Sequence, residues 1–186
     1  MNLISGGSAV TRFFNVKIFL LAILLPFLSA CKVETVSFVD IPRYMGLWYQ
    51  ISANPAFFNE GLVGVTAEYS LNDDGTVKVV NRGFENSLDG PESNIEGVAE
   101  VFDTETNASL KVTFPGQPEL PFPNYLIVIL DEVDYQYAVV TDPFTETLFV
   151  LNRNPQMDEG LYQSILSELE SRGIDTSKLV RTPQPE

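Results

Sequence analysis

The sequence predicts an all-β protein, an eight-stranded antiparallel up-and-down barrel with one C-terminal α-helix packed on its outside. Three observations predict it. From Gly46 onward, short runs alternate apolar with polar residues and are separated by turn formers, the signature of half-buried strands. Eight such runs follow one another through links of hairpin length, and eight strands close into a barrel whose interior holds one small ligand. After Pro155 the period changes, and Leu161, Ile165, Leu166 and Leu169 recur at helical spacing.

A leader precedes the barrel. Residues 1–30 carry Arg12 and Lys17 and no acidic side chain, run apolar from Ile18 to Phe27, and end on the small residues Ser29 and Ala30, the layout of a secretory signal that is removed. A run interrupted at Pro26 and this short does not reach the ~20 apolar residues that a membrane-spanning helix needs. Leu28-Ser29-Ala30-Cys31 resembles the lipobox of bacterial lipoproteins, which implies cleavage before Cys31 and lipidation of that cysteine. By the same resemblance Lys32 directs the protein to the outer membrane, on its periplasmic face. A buried cysteine behind an ordinary signal is the alternative. Residues Lys32 to Val39 read as a short tether.

Composition excludes much chemistry. The 11 basic residues lose Arg12 and Lys17 with the leader while all 25 acidic residues stay, so the mature side chains sum to −16, a charge that repels nucleic acid. Histidine is absent and Cys31 is the single cysteine. That removes imidazole-dependent triads, Cys-His dyads, an intrachain disulfide and ordinary zinc sites. No cofactor and no metal are expected.

The barrel begins with a turn. Asp40-Ile-Pro-Arg-Tyr-Met-Gly places the only tryptophan, Trp48, at the start of the first strand, where a large ring closes one end. Residues 54–61 form the first connecting loop. Leu62–Leu71 puts Val63, Val65, Ala67, Tyr69 and Leu71 on one face; Asn72-Asp73-Asp74-Gly75 turns the chain, and Thr76–Glu85 returns antiparallel. A strand from Ile95 to Phe102 and one over Leu110, Val112 and Phe114 follow. Ala67, Gly83, Gly97 and Ala99 are small residues on one face and leave room for a cavity. Pro115–Asn124, with four prolines, is a loop across a rim. Tyr125–Asp131, Tyr135–Thr141 and Thr147–Arg153 complete the eight. The helix runs from Asp158 to Ser171 and stops at Gly173. A short strand over Lys178–Arg181 and a disordered tail, Thr182–Glu186, end the chain.

These residues resemble those of the lipocalins, in the bacterial lipoprotein branch related to apolipoprotein D. Gly46-Leu47-Trp48 matches the Gly-x-Trp motif of the first strand, with Asp40-Ile-Pro-Arg-Tyr-Met before it and Tyr49-Gln50 after. Val65–Leu71 and Val79-Val80-Asn81-Arg82-Gly83 resemble the second and third strands. Leu151-Asn152-Arg153-Asn154-Pro155 resembles the third motif, whose arginine packs over the tryptophan. The middle motif is imperfect, with Val133 ahead of Asp134-Tyr135, which leaves the register of residues 131–137 open. The similarity covers about residues 38–181, with the lipocalin domain placed at 40–181.

The resemblance implies a lipid binder, with a fatty acid or lysophospholipid as the partner in the barrel and the outer membrane as the partner of the anchor. Storage or transport in the cell envelope follows as the expected function, without catalysis. A lipocalin-fold enzyme and a structural or partner-binding lipoprotein with no small ligand are the alternatives, and a homodimer stays open. Gly46, Trp48 and Arg153 are expected at the closed end. Phe57 and Phe58 are expected in a loop over the mouth, as a lid or packed on a neighbouring loop. Strand parity puts Tyr69, Asn81, Leu110, Val112, Ile127, Tyr137 and Phe149 inside as ligand-binding candidates. Asn81 is the polar member, either facing a ligand head group or a satisfied structural amide. The acidic groups Asp73-Asp74, Asp103/Glu105 and Asp131-Glu132/Asp134 read as solvated turn residues.

Overall fold

The computed structural model describes residues 33–186, so the leader and Cys31 lie outside the described residues. A short helix α1 (Ile41–Tyr44) leads into β1 (Gly46–Ala53), followed by β2 (Leu62–Leu71), β3 (Val77–Glu85), β4 (Glu92–Val101), β5 (Ser109–Thr113), β6 (Tyr125–Leu130), β7 (Tyr137–Thr141) and β8 (Leu148–Asn152). Each strand pairs antiparallel with the next, and β1 pairs with both β8 and β2, which closes the sheet. The expected eight-stranded up-and-down barrel is the observed one. Helix α2 (Glu159–Ser171) packs outside it, and a two-residue β9 (Val180–Arg181) pairs with β1.

Two apolar clusters hold the sheet. The inner one contains Trp48, Tyr69, Val79, Leu110, Ile127 and Val140. The outer one joins Leu126, Val128, Val139 and Val150 to Tyr162, Ile165 and Leu169 of α2. Because β6, β7 and β8 are covered on both faces, they lack the polar alternation of β2 and β3. Helix α2 starts where Asp158 accepts the Leu161 amide at 2.9 Å and ends at Gly173, whose φ of +76° reverses the chain.

Two of the differences from the expected strand ends have a clear local cause. β4 starts at Glu92 rather than Ile95, because the polar residues Ser93 and Asn94 still pair with Gly83 and Arg82. β7 starts at Tyr137 rather than Tyr135. The Asp131 carboxylate accepts from the amides of Val133 and Gln136, and this turn leaves Tyr135 at φ +55°, outside strand conformation. The other acidic turns are built alike: Asp74 accepts from Thr76 and Asp103 from Glu105.

Both ends of the described residues are bonded into the fold. In the segment read as a tether, Val36 donates its amide to Ile127 and Val39 to Thr106, and Val39 is fully buried. The C-terminal segment read as disordered fills a seam. β1 and β2 pair only from Gly46↔Tyr69 to Tyr49↔Thr66, and a bulge at Gly64, φ +58°, turns β2 aside. Into the gap come Pro183, whose carbonyl accepts the Gly64 amide at 2.7 Å, and Gln184, whose Nε2 donates to Gln50 and Val65 carbonyls at 2.8 and 2.9 Å. The polar tail thereby satisfies backbone groups that the splayed strands leave without partners.

Candidate functional site

One end of the barrel is shut. Trp48 is fully buried, and its Nε1 donates to the Tyr44 carbonyl at 2.9 Å. The Arg153 guanidinium lies 3.8 Å from the indole ring, a cation–π contact, and its nitrogens donate to four backbone carbonyls, those of Tyr135, Leu47, Arg43 and Tyr44. Gly46, φ +96°, takes a left-handed turn directly beneath, where a Cβ would sit 3.3 Å from Arg153 Nη1. Gly46, Trp48 and Arg153 thus lie together at this end. Arg43 adds a second layer, donating to the Val133 carbonyl at 2.6 Å and lying over the Tyr135 ring.

Above this plug lies a floor of tyrosines. Tyr125 Oη sits 2.9 Å from Tyr44 Oη and 3.0 Å from Tyr69 Oη. Three hydroxyls sharing two hydrogen bonds leave one O–H free to donate into the lumen. Burial pushes the Tyr69 phenol up to about 12, and burial first, then the neighbouring phenols, hold Tyr125 well above the ordinary tyrosine value; Tyr44 is raised for the same reasons. At neutral pH the floor therefore offers neutral hydroxyls and no general base. A partly open pocket of about 20 Å³ lies here, room for one water, with Tyr69, Leu110 and Val112 in its wall.

Toward the other end the wall opens. Asn81 is the cross-strand partner of Ala67 and Ile95 and shares their inward face; it is half-buried, and Ile95 is 41% exposed. Phe149 is partly buried against the inner cluster. Ile127 is fully buried in that cluster and acts as packing. The ring of Phe114 lies where a Cβ of Gly97 would be, at 2.6 Å, so this glycine admits an aromatic wall and leaves no space of its own. Phe57 is 88% exposed, and Phe58, edge-on to it, reaches toward Phe149 with ring centroids 6.5 Å apart. Their loop stands at the mouth without sealing it.

Tyr137 was expected inside and lies outside. It packs with the outer cluster beside α2, while Ala138 and Val140 face in. The left-handed residue at Tyr135 resets the alternation, and with both faces of β7 apolar nothing in the sequence corrected the parity. Tyr44 and Tyr125 were missed as site residues. Tyr125 shares parity with Ile127 and was legible; Tyr44 precedes the first strand, where no parity applies. A groove of about 230 Å³ that the sequence did not show lies outside the barrel between Arg82, Phe84 and Leu88 and the C-terminal Gln184 and Pro185.

This geometry, a closed barrel plugged by tryptophan and arginine at one end and open at the other, agrees with what the chain resembles. Residues 39–184 match the lipocalin-like domain family. The outer membrane lipoprotein Blc of Vibrio cholerae is 35% identical over 154 residues, which cover 82% of this chain and 87% of Blc. Apolipoprotein D of Mus musculus is 31% identical over 78% of this chain and 77% of its own length. Among solved structures, insecticyanin of the tobacco hornworm Manduca sexta superposes with a TM-score of 0.66 at 18% identity, covering 83% of this chain and 85% of that one, and shows the fold alone. The chain belongs to the lipocalin family, in the branch that holds the Blc outer membrane lipoproteins and apolipoprotein D.

Proposed function

We propose that the protein is held at the periplasmic face of the outer membrane by lipid on Cys31 and binds fatty acids or lysophospholipids in its barrel, to store or transport them in the cell envelope. One observation carries this reading: the inward wall is apolar from Phe149 and Val112 down to a floor of neutral tyrosine hydroxyls. An alkyl chain gains about 0.8 kcal/mol for each CH₂ it buries there. Asn81 is the polar side chain placed to meet a head group. The ligand-facing set is then Tyr69, Asn81, Leu110, Val112 and Phe149, with Phe57 and Phe58 at the mouth, and the kinship to Blc supports the membrane location. The protein works as a binder, since the floor offers neutral phenols and no base.

A second reading is favoured by the small space at the floor. With only about 20 Å³ of free space in that pocket, a barrel filled by its own side chains would suit a structural or partner-binding lipoprotein. Native mass spectrometry of a Cys31→Ser variant, offered lysophospholipid, fatty acid and a neutral apolar probe, separates the two. Uptake of one acyl ligand per chain, released unchanged, is the expected result. No uptake of any probe overturns the carrier reading, and conversion of a ligand overturns the non-catalytic one.

A further inference from the structure

We propose that the tyrosine floor reads the far end of the ligand, so that the barrel prefers an acyl chain ending in an oxygen, an ω-hydroxy or ω-oxo chain, over a plain alkyl chain. The inference rests on the carrier reading above and deepens it, since an apolar wall favours any alkyl chain and leaves the chain's end unspecified.

Three separate elements build the floor. Tyr44 ends α1, Tyr69 stands on β2 opposite Gly46, and Tyr125 opens β6. The Tyr69 ring stacks on Tyr44 with centroids 5.8 Å apart, and Tyr125 meets Tyr69 edge-on at 6.1 Å. Tyr44 and Tyr69 are 4% and 7% exposed, so packing holds their hydroxyls in place before any ligand arrives. The Tyr125 hydroxyl lies between the other two, 2.9 Å from Tyr44 Oη and 3.0 Å from Tyr69 Oη, and among the described residues no other group bonds to these three. Three O–H groups therefore make two hydrogen bonds whichever way each one points, and one donor is left over. A buried donor without an acceptor carries the full penalty of its lost hydration.

The space beside that donor fits a single oxygen. All three tyrosines line the partly open pocket of about 20 Å³. Apolar side chains, Ile41, Val79, Ala99 and Val112 among them, make up the rest of its wall, and Met45 brings only a thioether, a weak acceptor. A water there would have phenol oxygens as its only strong partners, whereas a buried water ordinarily makes about three hydrogen bonds. An oxygen on the end of an acyl chain is instead held in place by the burial of the chain behind it, and it accepts the leftover O–H directly. If that oxygen is a hydroxyl, its own proton goes to a phenol lone pair. A methyl end would fill the same space and leave the donor unmet. Burial raises all three phenols, so they stay protonated donors at neutral pH.

The test measures binding of paired lysophosphatidylcholines to the Cys31→Ser chain, one member of each pair with a plain acyl chain and the other with the same chain ω-hydroxylated, in myristoyl, palmitoyl and stearoyl lengths. A phosphocholine head is too large for the pocket, so only the chain end reaches the floor. At the length that reaches it, the hydroxylated member should bind about 3–10-fold tighter, the worth of one ordinary hydrogen bond. This preference should vanish in the Tyr44→Phe/Tyr69→Phe/Tyr125→Phe variant; all three changes are needed, because one or two remaining hydroxyls still leave a donor. Equal binding within every pair, or tighter binding of the plain chain, overturns the inference and leaves the carrier standing. A preference that survives in the triple variant overturns it as well. If no member of any pair binds, the carrier reading falls and the chain-end reading with it. A control on the unsubstituted floor does not depend on the triple variant folding: a hydroxyl moved to the middle of the chain should lose the preference, and binding as tight as that of the ω-hydroxy chain overturns the inference.

Discussion

The closed and open ends of this barrel use similar aromatic side chains and treat them in opposite ways. At the closed end Trp48 has its N–H satisfied by Tyr44 and its ring covered by a guanidinium that itself bonds four carbonyls. At the open end Phe57 touches little beyond Phe58, and Phe144 little beyond Phe122. The difference separates stability from access. A ring that bridges the N-terminal helix, β1 and the residue after β8 holds distant parts of the chain together. A ring on a loop can move without disturbing the sheet.

The largest effect expected from this contrast is at Trp48. Trp48→Ala empties a fully buried site and removes the cation–π contact with Arg153, so it should lower unfolding stability by about 3–5 kcal/mol. Urea titration of the Cys31→Ser protein measures it. A loss below about 1 kcal/mol, which is the range of ordinary surface changes, would mean that the plug is not what closes the barrel.

Much of this contrast was legible in the residues and part was not. The strands β2 and β3 were readable because one face is wet, so polarity alternates. Trp48 and Arg153 were readable because a motif ties each to a defined position. Tyr137 was misplaced because α2 covers the outer face of β7 and erases the polarity difference that parity depends on. The tail was misjudged for another reason. Gln184 and Thr182 look like solvent-facing residues, and only the divergence of β1 from β2 beyond Tyr49 creates the unpaired carbonyls that make a half-buried glutamine favourable there. Long-range splaying of two strands leaves no local pattern beyond the glycine at position 64.

An effect of intermediate size is expected at the tyrosine floor, between the two ends. Tyr69, at about 12, lies above its unfolded value of 10.0, and Tyr44 and Tyr125 are raised as well. A group whose folded value is raised holds its proton longer in the native state. Its stabilisation is complete below pH 10 and is lost as pH rises through the folded value, because the unfolded chain ionises first. For Tyr69 alone a shift from 10.0 to about 12 corresponds to roughly 3 kcal/mol. Stability measured by urea titration should thus be flat from pH 8 to about 10 and fall steeply above it. The phenolate absorbance of these three tyrosines should appear together with unfolding. Ionisation of all tyrosines near pH 10 with the fold intact would show that water reaches the floor freely and that the barrel is open along its whole length.

The smallest effect on stability is expected at the mouth, and its smallness is what makes it informative. Phe57 is 88% exposed, so Phe57→Ala should change unfolding stability by no more than about 0.5 kcal/mol. Phe58 reaches Phe149 and should cost slightly more. If the mouth serves access, Phe57→Ala should nevertheless reduce capture of fatty acid or lysophospholipid in the native mass spectrometry assay, because a ring at the entrance can contact a ligand without contributing to the folded state. A stability loss above about 1 kcal/mol would instead place Phe57 in packed structure, since exposed side chains do not produce losses of that size. The two ends would then differ only in degree, and the entrance would have to be sought elsewhere, with the outer groove beside Arg82 and Gln184 the first place to look.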